Sequence, residues 1–76
     1  MYLYPKGHTM RLVSYVKLRR KDNKITQKEL AVAAGVGLRF LRDMEQGKKT
    51  LRLDKVNQVL AIFGAEMLPH PRLKNE

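Results

Sequence analysis

Hydrophobic residues recur at intervals of three and four along most of the chain, which is the spacing of amphipathic helices. The first such stretch runs from Thr9, a residue type that often caps helices, to about Asn23. The last such stretch is closed by Gly64. Its predicted inner face carries Leu53, Val56, Leu60 and Phe63. The pattern therefore predicts a helix at each end of the central part of the chain.

Between these two helices the sequence predicts a pair of shorter ones. Thr26 and Glu29 have the spacing of a capping box, and Gly35 suits the left-handed position that ends a helix. The next helix starts near Leu38 and ends at Gly47. Small residues in the first helix of the pair allow a close crossing: Ala31, Ala33 and Ala34. This is a helix-turn-helix arrangement, in which the second helix is presented to the major groove of DNA.

The two ends of the chain depart from the helical pattern. Residues 1–8 contain a proline and a glycine and predict an extended arm. Residues 65–76 predict a short strand over 65–68, followed by a polar tail with prolines. Residues 9–64 form the predicted helix-turn-helix domain. The expected fold is all-α, a compact domain of four to five helices that allows short β-strands at both ends.

The composition narrows the range of functions. The chain has 76 residues, 16 Lys and Arg against 7 Asp and Glu, and no cysteine, so its formal net charge is +9. A chain of this length rarely encloses a substrate pocket, which argues against an enzyme. We expect neither a metal nor a cofactor, because thiolates are absent and the two histidines lie in the end segments. Without a membrane-spanning or secretory apolar run, a cytoplasmic protein with an anionic partner is expected.

Cations are concentrated in the first helix and just beyond it. Between positions 17 and 28 only Asp22 opposes six of them: Lys17, Arg19, Arg20, Lys21, Lys24 and Lys28. A solvated helix face would normally carry more acidic residues, so attraction to phosphate is the favoured interpretation. A merely solubilising face and a membrane-surface helix are the alternatives.

The central block resembles a known family. Its motifs are Thr26-Gln27-x-Glu29-Leu30-Ala31, Gly35-Val36, Leu41 and Glu45-x-Gly47. They are similar to the helix-turn-helix of lambda-repressor-like (Xre-type) proteins, over about Leu12 to Phe63. Gly-Val-x-x-Arg-Phe-Leu-x-Asp-x-Glu-x-Gly-Lys, followed by Leu-Asp-Lys-Val, resembles the HipB-like antitoxins. These are small dimeric repressors encoded beside a kinase toxin.

The resemblance implies roles for individual residues. The outward face of the second helix of the motif carries Asp43, Gln46 and the base-reading positions, which are Leu38, Arg39 and Arg42. Positions that contact or position phosphates are Thr26, Gln27, Lys28, Gly37, Lys48 and Lys49. Two residues depart from the family pattern. Gly37 replaces the usual Ser or Thr, and Leu38 replaces a commonly polar reader and offers only apolar contact, for instance to a thymine methyl group.

The resemblance also implies a structural pair and a dimer. Arg20 and Glu45 match positions that form a partly buried ion pair between the first and third helices. The remaining apolar residues are expected at a dimer contact, with the terminal strand pairing across the two-fold axis: Ile62, Phe63, Ala65, Met67 and Leu68.

The sequence therefore predicts a homodimeric repressor that binds a palindromic double-stranded operator and serves as the antitoxin of a HipA-like kinase. A stand-alone or phage-type Xre regulator without a toxin is the first alternative. The second is a helix-turn-helix module that binds protein or RNA instead of DNA.

Overall fold

Four helices make up the described part of the chain, which in this computed structural model comprises residues 8–69 and 71. They are α1 (His8–Asp22), α2 (Gln27–Ala34), α3 (Leu38–Glu45) and α4 (Leu53–Ala61). The expectation of an all-α helix-turn-helix fold is confirmed. The predicted N-terminal arm, except for His8, and most of the tail lie outside the described residues.

Two expectations about the ends of the fold are wrong. Helix α1 begins at His8, so Thr9 lies within the helix and is not its N-cap. The predicted strand over residues 65–68 is irregular, and no residue from 8 to 69 lies in a strand. Instead the Met67 N–H donates to the Asn57 Oδ1 at 2.8 Å, which holds this segment against α4. Apolar alternation cannot form a strand unless a neighbouring strand supplies the ladder.

The core lies where the four helices meet. Helix α2 packs against α3 and α4, and α1 packs against α3. The buried cluster comprises Val16, Leu30, Ala31, Ala34, Leu41, Met44, Val56, Val59 and Leu60. Leu53, predicted to be on the inner face of α4, is 59% exposed. It is the first residue of that helix and lies a turn before Val56, where the buried stripe begins.

Both ends of α2 have the backbone geometry that the sequence predicts. The Thr26 Oγ1 accepts from the Glu29 N–H at 3.1 Å, and the Thr26 N–H donates to the Glu29 Oε1 at 2.8 Å, which completes the capping box. At the other end Gly35 has φ +72°. Its N–H donates to the Val32 carbonyl and that of Val36 to the Ala31 carbonyl, a Schellman motif. This turn fixes the angle at which α3 leaves α2.

We predict opposite effects of the same substitution at two glycines of this turn. Gly35→Ser should lower the free energy of unfolding by about 1 kcal/mol, because Gly35 has φ +72° and L-residues with a side chain disfavour that region. Gly37 is the N-cap of α3 with φ −72°, and a Cβ there would meet no atom within 4 Å. Gly37→Ser should therefore raise that free energy, by about 0.5–1 kcal/mol, through a new cap and a less flexible unfolded chain. Urea denaturation measures both, and a stabilised Gly35→Ser would contradict the turn geometry.

Candidate nucleic-acid interface

Helix α3 has one buried face and one charged, exposed face. Leu41, Met44 and Glu45 are buried against the other helices. On the opposite side Arg42 is exposed and the Arg39 side chain is 89% exposed. Leu38, at the start of the helix, is half-buried. The helix is therefore fixed on its inner side while its arginines remain accessible to a ligand.

A buried ion pair attaches α3 to α1. The Arg20 Nε donates to the Glu45 Oε2 at 2.8 Å, and the Arg20 Nη2 donates to the Glu45 Oε1 at 3.1 Å. The Arg20 Nη1 also donates to the Ile25 carbonyl at 3.1 Å. The side chains are only 15% and 2% exposed. This bidentate pair is the contact that the family resemblance implies, and it faces inward, so Glu45 does not repel a ligand on the outer face.

Gln27, the first residue of α2, joins the same network. Its Nε2 donates to the Glu45 Oε1 at 3.1 Å, and its side chain is half-buried. A primary amide carries two N–H groups, so one donor remains for a further acceptor. Glu45 thus holds the Gln27 amide beside the start of α2, where the resemblance places a phosphate.

Asp43 lies between two cations on the outer side of α3. The Arg39 Nε is 3.6 Å from the Asp43 Oδ1, and the Lys48 Nζ is 3.7 Å from the Asp43 Oδ2. The backbone N–H of Lys48 also donates to the Asp43 carbonyl at 3.0 Å. Sequence reasoning placed Asp43 on this face but gave it no contact. The spacing of four residues between Arg39 and Asp43 was the available signal.

The remaining residues expected at phosphates lie around the ends of α2 and α3. Thr26 and Lys28 are exposed at the start of α2, and Lys48 and Lys49 are exposed just after α3. Gly37 caps α3 without a side-chain hydrogen bond. The first N–H groups of a helix have no intrahelical acceptor, so they can donate to an anion.

The cation cluster that was predicted as one phosphate-attracting surface is divided in the structure. Arg20 forms the ion pair with Glu45. Arg19 is half-buried, with its guanidinium 5.7 Å from the Phe63 ring centroid. The other four remain exposed: Lys17, Lys21, Lys24 and Lys28. The family resemblance already implied the pairing of Arg20. Sequence alone does not distinguish Arg19 from the four exposed lysines, because that distinction depends on which side of α1 faces Phe63.

An exposed ion pair lies at the start of α4. Arg52 and Asp54 are joined by hydrogen bonds of 2.7 and 3.2 Å, and Asp54 is in the first turn, where the helix dipole favours a carboxylate. The Arg52 hydrogen bond lowers the pKa of the Asp54 carboxyl. Because the pKa of the Asp54 carboxyl is lowered in the folded state, the ionised carboxylate stabilises the fold at pH values above its unfolded-state pKa. This stabilisation is lost as the pH falls through the folded-state pKa. Solvent screening keeps that contribution small.

The five residues expected at a dimer contact lie at and beyond the end of α4. Phe63 and Ala65 are half-buried and pack against the core. Ile62, Met67 and Leu68 are exposed in the single chain. Apolar side chains thus reach solvent on this side of the molecule.

Over residues 8–69 no helix is long and apolar enough to cross a membrane. Within the same part of the chain no three His, Cys, Asp or Glu side chains are grouped as metal ligands would be.

Comparison with known proteins agrees with this geometry. Residues 16–68 match the helix-turn-helix family. The match covers α2, α3, α4 and the second half of α1. The chain is also 48% identical over 52 residues to an uncharacterized HTH-type transcriptional regulator, y4mF, of Sinorhizobium fredii strain NGR234, and the match covers 68% of each chain. The chain therefore belongs to the Xre-type helix-turn-helix family of DNA-binding transcriptional regulators.

Proposed function

We propose that the protein is a sequence-specific repressor that binds a palindromic operator as a homodimer, with α3 in the major groove. The observation that supports this proposal best is the asymmetry of α3. Its inner face is fixed by the core and by the pair between Arg20 and Glu45, and its outer face carries exposed Arg39 and Arg42. A major groove about 12 Å wide admits one such helix.

Base recognition is assigned to the outer residues of α3. Arg39 is the residue best suited to a guanine, because the planar guanidinium can donate two parallel hydrogen bonds to O6 and N7. Arg42, one turn nearer the C-terminal end, is the second polar reader. Leu38 is half-buried and contributes apolar contact to a thymine methyl group.

Phosphate contacts are assigned to the groups around this helix. They are Thr26, Gln27, Lys28, Lys48, Lys49 and the backbone at Gly37. Such contacts fix the position of the protein on the duplex and provide the salt-dependent part of its affinity.

The proposed dimer uses the apolar residues beyond α4: Ile62, Phe63, Ala65, Met67 and Leu68. Two copies related by a two-fold axis would place their α3 helices at half-sites about one helical turn apart. In this arrangement the apolar side chains over 65–68, a segment that is irregular in the single chain, would pack against their own copy.

Truncation tests this interface. We expect a chain ending at Gly64 to shift toward monomer in sedimentation equilibrium, because it lacks three of the five apolar contact residues. Glu66→Gln in the full chain removes a charge from the same segment and should leave the dimer intact. A truncated chain that sediments as the full-length dimer would place the interface elsewhere.

The antitoxin role is the most specific part of the proposal. It rests on the resemblance of α3 and α4 to HipB-like proteins, and it gives the protein a HipA-like kinase as partner, autorepression of its operon and a cytoplasmic location. A kinase-like reading frame next to the gene, and co-purification of its product with this chain, are the expected results. Their absence would leave a stand-alone regulator.

Titration of duplex DNA across a range of salt concentrations tests the DNA-binding function itself. Several phosphate contacts should give a steep linear fall of log K with log salt, with a slope of about −0.9 for each phosphate neutralised. The same titration with single-stranded and double-stranded RNA serves as the control. A flat response on DNA, or tighter binding to RNA, would replace this proposal with the adaptor or RNA-binding alternative.

A further inference from the structure

We propose that Asp43 is a specificity-determining residue that restrains Arg39 and Lys48, so that the protein discriminates its operator from other DNA. This proposal rests on the proposed function, since it concerns how α3 distinguishes DNA sequences. Asp43 acts here through its neighbours and is therefore a positioning residue.

An acidic residue at the position of Asp43 does not increase the affinity of the protein for DNA. Its carboxylate stands in the last turn of α3, where the helix dipole disfavours an acid, and the first turn of α3 has no acidic residue. Asp43 also lies on the same side of the helix as Arg39, and its carboxylate is close to Lys48, which follows the helix. A negative charge on a surface that approaches phosphates weakens binding to any duplex, whatever its sequence.

The geometry gives that charge a specific effect on Arg39. Asp43 faces the Nε of Arg39 at 3.6 Å and has a side chain that is only 26% exposed. A guanidinium oriented through Nε keeps its two terminal nitrogens for another acceptor. These nitrogens are the donors that a guanine edge requires, so Arg39 can pair with guanine and retain Asp43 at the same time.

A DNA phosphate, unlike a guanine edge, competes with the Asp43 carboxylate for the neighbouring cations. Lys48 approaches a phosphate on any duplex, so its competition with the carboxylate is the same for operator and random DNA. On random DNA Arg39 would also have to leave or share the carboxylate to neutralise a phosphate, and the carboxylate would repel that phosphate. The Lys48 backbone N–H is hydrogen-bonded to the Asp43 carbonyl at 3.0 Å, which keeps this cation close to the acid. Asp43 therefore lowers non-specific affinity more than operator affinity.

The test compares Asp43→Asn with the wild type on an operator duplex and on a random duplex of equal length. We expect the affinity of the variant for random DNA to rise about tenfold and its salt slope to steepen by about 1 to 2, as freed cations meet phosphates. Operator affinity should change by less than about threefold, since lost repulsion and lost orientation of Arg39 oppose each other. The specificity ratio should then fall about tenfold.

Two further variants keep the outcomes separate. Glu66→Gln makes the same change of net charge beyond α4 and should leave the specificity ratio as in the wild type. In an Arg39→Ala background, Asp43→Asn should lose most of its effect on that ratio. Thermal melting of each variant excludes a change in folding as the cause.

Three results would overturn the role of Asp43. They are an unchanged specificity ratio in Asp43→Asn, an equal change in Glu66→Gln, and an undiminished effect of Asp43→Asn without Arg39. If the proposed function itself is wrong, the wild type gives a different result. In that case the wild type itself binds operator and random duplex equally.

Discussion

Arg20→Ala should lower the free energy of unfolding by about 3–5 kcal/mol. The reason lies in Glu45, whose side chain is 2% exposed. The substitution removes two hydrogen bonds from that carboxylate and, among the described residues, leaves the one from the Gln27 Nε2. A buried charge without its partner is costly because it has lost its water as well. Urea denaturation followed by circular dichroism measures the change.

The matched control for this substitution is Arg52→Ala. Arg52 also forms an ion pair with a carboxylate, at 2.7 Å, but both side chains are exposed. We expect the unfolding midpoint of Arg52→Ala to stay close to that of the wild type, since solvent screens such pairs. Equal midpoints for Arg20→Ala and Arg52→Ala would show that the buried pair does not hold α3 in place.

Arg39→Ala should weaken operator binding by about 1–3 kcal/mol, which is roughly five- to 150-fold. The Arg39 side chain is 89% exposed, so its loss should cost little folding stability. The expected loss is uneven, because a bidentate contact to guanine distinguishes one base pair from the other three. Titration of a set of duplexes that vary one base pair at a time should show a relaxed preference at one symmetric pair of positions, one in each half-site.

Arg52→Ala serves here too, as a control for net charge, because it removes the same charge from an exposed residue outside α3. We expect it to keep the base preference of the wild type. If Arg39→Ala lost affinity equally for operator and random duplex, Arg39 would be a phosphate contact and the assignment of the guanine reader would be wrong.

The parts of the fold that the sequence predicted correctly depend on contacts between near neighbours. Thr26 and Glu29 are three residues apart, and Gly35 ends α2 through bonds within its own turn. These features define α2 and the turn before α3, so the helix-turn-helix could be placed from local patterns. The pair between Arg20 and Glu45 spans 25 residues and came from the family resemblance instead.

What the sequence could not supply depends on tertiary packing. The exposure of Leu53 follows from where α4 first meets the core. The division of the α1 cations follows from the position of Phe63 relative to Arg19. The contact of Asp43 with Lys48 needs the course of the chain after α3. The strand expected over 65–68 needs a partner, and a single chain does not provide one.

Selection of bound duplexes from a random pool tests most directly the claim that the outer face of α3 reads DNA sequence. The selection is performed in parallel with the wild type and with Arg39→Ala. The wild type should enrich a palindrome of two half-sites about 10 base pairs apart. The variant should lose the preference at one symmetric pair of positions. A wild-type pool that remains random after several rounds, or the same motif from both proteins, would contradict the claim.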